Sequence, residues 1–167
     1  MAILLQDRIA EIEARAADVL VSTFGTADVD LPVDLGAVAK SEGIQLKEAV
    51  FKDDDAIGLY ERGEKKIYVK RGSHLPRMSF TIAHEIGHHI LHEDIEEETF
   101  WRRDILSLEK QDPGQETEAN WFAASLLMPK IKIELYWSKI QDIDALADIF
   151  GVSRSAMLWR LKNMKLL

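Results

Sequence analysis

There is no cysteine anywhere in the chain's 167 residues. Disulfides, thiolate metal sites and cysteine nucleophiles are therefore excluded, and the composition suits a reducing compartment. Long apolar runs are missing as well: none approaches the roughly 20 residues that a membrane-spanning helix needs. Met1–Leu5 opens like the apolar core of a secretory leader, but Asp7, Arg8, Glu11, Glu13 and Arg15 follow at once, which such a leader does not tolerate. A cytoplasmic setting is the expectation. Positive charge is also scarce. The 21 Lys and Arg against 29 Asp and Glu leave a net charge of −8, which argues against a surface devoted to nucleic acid. Repeats, low-complexity tracts and flexible linkers are absent. Apolar residues, at 47%, suffice to fill a core at this length, so disorder is excluded too.

Ile3, Leu4, Ile9, Ile12, Ala16, Val19 and Leu20 give residues 3–22 the spacing of an amphipathic helix, with Gly25 just past its end. A shorter helix is expected from Pro32 to Gly43. Three β-type segments follow, Ile44–Phe51, Ala56–Tyr60 and Lys66–Val69. Asp53-Asp54-Asp55 and Arg62-Gly63-Glu64 separate them as turns, so they predict a small antiparallel sheet. A helix from Ser79, as N-cap, to about His92 comes next. Glu93, Asp94, Glu96, Glu97 and Glu98 read as a solvated segment, and residues 100–113 carry no clear pattern. Asp112-Pro113-Gly114 is a turn that opens a strong helix, Gln115–Met128, ended by Pro129.

Residues 131–167 read as two or three helices. Within them Ala145–Met157 has the order helix, glycine turn, serine cap, helix of a helix–turn–helix unit. Arg154 and Arg160 are the residues that would meet phosphate in a DNA-binding reading. Asp142, Asp144 and Asp148 would repel it, so a packed subdomain that shapes a cleft or docks a partner is preferred, with Trp137 and Trp159 in the packing. The expected class is α+β, with residues 1–130 as the main domain and 131–167 as a helical subdomain packed on it.

The chemistry concentrates in Phe80–His89, which contains His84-Glu85-Ile86-Gly87-His88, an H-E-x-x-H pattern. On a helix the two histidines lie one turn apart on one face, where both imidazoles can ligate one zinc ion. Glu85 can then reach a metal-bound water without ligating the metal. Ile82, Ala83, Ile86, Ile90 and Leu91 supply apolar packing, and Gly87 leaves room beside the site. Catalytic zinc takes three protein ligands and keeps one position open, so a third ligand is required. The helix after Pro113 offers Glu116 and Glu118, which point about 200° apart, so only one can reach. Glu116 is preferred because Asn120, one turn on, shares its face and can hydrogen-bond the outer nitrogen of a ligand histidine. Tyr60, Tyr136, Arg77 and His92 are possible second oxyanion donors. His92 reads as a helix-end or packing residue, and His89 as exposed.

The blocks Arg77–His92 and Glu116–Pro129 resemble the ImmA/IrrE metallopeptidases, relatives of the gluzincin-type zinc proteases. Weaker likeness extends to Leu31–Asp34, Ile67–Val69, Leu146–Ala147, Phe150–Ser153 and Arg160-Leu161, while Lys70 stands where many members carry Asn. The resemblance implies a zincin-like α+β fold, with the sheet packed against the active-site helices. It implies His84, His88 and Glu116 as Zn2+ ligands and Glu85 as catalytic base. It further implies an endopeptidase that cleaves a helix-turn-helix (Xre-type) repressor in stress responses, mobile elements or prophages. Two other readings stay open: a DNA- or partner-binding regulatory module with a vestigial metal site, and a zinc hydrolase of small molecules.

Overall fold

The structure, a computed structural model, describes residues 6–93, 99–103 and 113–167. Its elements run α1 (Gln6–Phe24), α2 (Leu35–Ser41), β1 (Gln45–Ala49), β2 (Ala56–Glu61), β3 (Lys66–Lys70), α3 (Leu75–Leu91), β4 (Thr99–Arg103), α4 (Pro113–Leu127), α5 (Lys130–Trp137), α6 (Ile143–Phe150) and α7 (Arg154–Asn163). The class is α+β, as expected. Positions 1–5, most of the acidic run (Asp94 and Glu96–Glu98) and Asp112 lie outside the described residues.

The apolar stripe read in the first helix is the face that α1 buries, through Ile12, Ala16, Val19 and Leu20. Helix α2 starts three residues after Pro32, because the Asp34 side chain accepts from the Ala37 N–H and so caps it. Helix α3 begins four residues before the expected Ser79. Pro76 occupies its first turn, where the missing N–H costs no helical bond.

The sheet is mixed and four-stranded, in the order β1-β3-β2-β4, which corrects the all-antiparallel expectation. β2 and β3 form the expected hairpin, with Leu59 opposite Tyr68 and Tyr60 opposite Ile67. β1 and β2 do run in opposite directions, but β3 inserts between them and therefore lies parallel to β1. Residues 50–55 carry the chain across β3, a span of about 10 Å for two strand spacings. The unpatterned stretch after residue 99 supplies β4, which pairs antiparallel with β2.

Sheet, α3, α4 and α1 stack in that order, with α3 between the sheet and α4. The tail forms three helices. Asp142 caps α6, Gly151 turns the chain and Ser153 caps α7, as the helix–turn–helix pattern requires. Arg160, however, is 1% exposed. Its Nε donates to the Met128 carbonyl at 3.2 Å and its Nη1 to Glu13 at 2.7 Å, fastening α7 to α4 and α1. It is not available to phosphate, and Arg154 pairs with Asp144 at 2.9 Å. Trp159 packs edge-on to Trp121 on α4, ring centres 4.6 Å apart, and Trp137 also lies against the core.

Candidate metal centre

Helix α3 buries a continuous run from Thr81 to His88, with His84, Glu85 and His88 each 1% exposed. Sheet on one side and α4 on the other leave those residues no solvent face. Gly87 sets the closeness of α4. A Cβ there would stand 3.2 Å from both the Cα and the carbonyl oxygen of Ala119, so only hydrogen lets the two helices meet at this level. Gly58 does the same for β2, since a Cβ on it would lie 2.4 Å from Thr81 Cγ2 and 3.6 Å from Glu85 Oε1. The strand backbone thus runs directly beside the Glu85 carboxylate.

The close approach of α3 and α4 brings three side chains together. His84 Nε2 and His88 Nε2 are 3.0 Å apart. Glu116 Oε2 lies 3.2 Å from the first and Oε1 lies 2.9 Å from the second. The donor atoms of His84, His88 and Glu116 all fall within 4.8 Å of one another. Burial pushes the Glu116 carboxyl up, but hydrogen bonds from His84 and His88 outweigh it and hold the group well below the usual carboxylate range. Asn120 Oδ1 faces His84 Nδ1 at 2.9 Å. That contact holds the His84 ring with Nε2 turned inward, toward His88 and Glu116. Two imidazole nitrogens and a carboxylate suit a divalent metal ion, and the Nε2 separation is close to the roughly 3.3 Å of two nitrogens on a tetrahedral zinc. The structure thus brings together His84, His88, Glu116 and Asn120, with Glu85 beside them.

Glu118 points away from the cluster, as helix geometry requires. It takes a part that sequence reasoning missed. His88 Nδ1 lies 3.0 Å from His92 Nδ1, and His92 Nε2 lies 3.2 Å from Glu118 Oε2. Arg8 on α1 donates to both Glu118 oxygens, Nε at 2.9 Å and Nη2 at 2.6 Å. His92 is indeed the C-cap of α3, but it is 6% exposed and joined through its ring to a buried histidine. The signal was the spacing 84, 88, 92, which puts three imidazoles on one helix face.

The remaining candidates are elsewhere engaged. Tyr60 is fully buried and its hydroxyl meets His89 Nδ1 at 2.6 Å, so His89 is half-buried rather than exposed. Burial raises the Tyr60 hydroxyl pKa and lowers that of His89. Tyr136 packs against Phe150 in the tail, and Arg77 is exposed. A cavity of about 460 Å³ is lined by Phe80, Asn120, Trp121, Met128 and Trp159.

Residues 39–162 match the Peptidase_M78 family, described as the IrrE N-terminal-like domain. The chain is 30% identical over 112 residues to "Uncharacterized immunity region protein 2" of Bacillus phage phi105, covering 66% of this chain and 67% of that one. The fold is similar to that of a solved "Mycobacterium tuberculosis transcriptional regulator", with TM-score 0.70 and 20% identity over 93% of this chain. The present chain spans about half of that protein, 48% of its length.

Proposed function

The chain belongs to the ImmA/IrrE family of metallopeptidases, and on that premise we propose that it is a zinc-dependent endopeptidase acting in the cytoplasm on a helix-turn-helix, Xre-type repressor. The observation that carries the reading is the convergence of His84, His88 and Glu116 from two helices, with the Glu85 carboxylate buried against them. His84, His88 and Glu116 would hold Zn2+. The chemistry the ion would supply there is Lewis-acid activation of water and of the peptide carbonyl. Glu85, one residue from a ligand yet outside the ligand set, takes a proton from the attacking water and returns it to the leaving amide nitrogen. Asn120 keeps the His84 ring in the orientation that presents Nε2.

β4 forms one edge of the sheet beside β2, so an extended substrate segment can add to it as a further strand. Residues 131–167 act as a helical subdomain packed on residues 1–130, and dock the substrate rather than DNA; the buried Arg160 supports this. Likeness to a phage immunity-region protein supports a regulatory setting. In the decisive experiment, purified chain with zinc is mixed with a helix-turn-helix repressor encoded beside it. Two fragments of fixed length are expected, and Glu85→Gln slows their release about 10²–10⁴-fold while still binding zinc. An intact repressor, or equal cutting by Glu85→Gln, overturns the proposal.

A further inference from the structure

We propose that the cavity of about 460 Å³ bordered by α3, α4 and α7 binds a flat, uncharged aromatic molecule bearing a carbonyl-type acceptor, and that Asn120 transmits its presence to His84. The site stands on its own lining; its effect on zinc rests on the metal-centre reading above.

The volume falls within the roughly 300–1,000 Å³ of small-molecule sites. Phe80 from α3, Trp121 from α4 and Trp159 from α7 line it, so three helices each contribute an aromatic ring. The two indoles meet edge-on with ring centres 4.6 Å apart, and rings so placed take a further flat ring by stacking or edge contact. Ala124 and Ala156 line the cavity with single methyl groups, which keeps the space open. Among the described residues that line it none is charged. An ionised ligand would lose its water without gaining a counter-charge, so a neutral one is selected.

Asn120 supplies the directional contact. It lines the cavity and is exposed, although its neighbours Ala119 and Trp121 on α4 are buried. Its Oδ1 meets His84 Nδ1 at 2.9 Å, and no described residue takes the N–H groups of its Nδ2. A carbonyl oxygen in the cavity can accept from them. A ligand held in this way pins the amide with Oδ1 on the His84 ring. Nδ1 lies across that ring from Nε2, the atom 3.2 Å from Glu116 Oε2. His84, Glu85, His88 and Glu116 are not among the residues that line the cavity. The occupant therefore acts on the support of a ligand ring and not at the reacting atoms, which suits an effector rather than a substrate side chain.

The test titrates coumarin, a neutral bicyclic lactone, into the full chain. NMR follows the indole N–H signals of Trp121 and Trp159 and the side-chain amide of Asn120. Saturable shifts at all three are expected in the zinc-free protein, with a Kd of about 1 mM or below. Naphthalene, a similar shape without the acceptor, should bind about fivefold more weakly. Ala156→Leu fills the space from α7 and should abolish the shifts, with zinc affinity as in wild type. Zinc affinity of the wild type, measured by chelator competition, should rise about fivefold at saturating coumarin, and coumarin should bind the zinc-loaded chain tighter by the same factor. Shifts that do not saturate, that spare these three residues or that persist in Ala156→Leu overturn the site. Equal zinc affinity with and without coumarin overturns the link to His84. Displacement of coumarin by the repressor makes the cavity a substrate subsite and overturns the effector role. If the chain binds no zinc, the metal reading fails, while coumarin binding to the zinc-free protein still decides the site.

Discussion

At Asn120 the side chain does one thing that can be tested alone. It lies at the solvent boundary, so Asn120→Ala leaves the core untouched while removing the acceptor for His84 Nδ1. Zinc affinity should fall about 10–100-fold with thermal stability of the metal-free chain unchanged, measured by chelator competition and calorimetry. His84, Glu85 and His88 were legible in sequence because helix geometry alone fixes their relation. That only one of Glu116 and Glu118 could reach was legible for the same reason, and Asn120, one turn beyond Glu116, was the residue that favoured Glu116. The Arg8–Glu118–His92 path was not legible. Its members lie on α1, α4 and the end of α3, and nothing local tells that Arg8 reaches a glutamate 110 positions away.

Among the elements, the pairing of α3 with α4 decides whether a site exists. Gly87→Ala would set a methyl 3.2 Å from the Ala119 backbone, in contact with atoms that cannot rotate away. We expect about 1–3 kcal/mol of destabilisation by urea unfolding, and about tenfold weaker zinc binding as Glu116 is carried off from the imidazoles. Helix existence was well signalled by apolar spacing and caps, whereas boundaries shifted: the Asp34 cap starts α2 after Pro32, and Pro76 favours a first turn that starts α3 earlier than Ser79. β1, β2 and β3 were legible as strands too, but β4 and the parallel β1–β3 pair were not. Alternation along a strand tells which face is buried; it does not tell which neighbour lies alongside.

For the whole molecule, the tail and the first helix close around α4. Arg160 is the joint, one of the largest fully buried side chains, pairing with a Glu13 that is 30% exposed. Arg160→Ala removes two hydrogen bonds and leaves a cavity, so about 3 kcal/mol should be lost in urea unfolding. The sequence placed arginine in a helix–turn–helix pattern and left its direction open, because a recognition-like helix and a packed helix share the same caps and turn. Metal should stabilise the assembled fold. At a zinc concentration about 1,000 times Kd, binding adds about 4 kcal/mol, which for a domain of this size raises Tm by roughly 8–16 °C, and a chelator should reverse it. Anomalous diffraction at the zinc edge, from crystals grown with zinc, tests the central claim most directly. One peak is predicted, about 2.0–2.2 Å from His84 Nε2, His88 Nε2 and a Glu116 oxygen; a peak elsewhere, or none at this cluster, would contradict it.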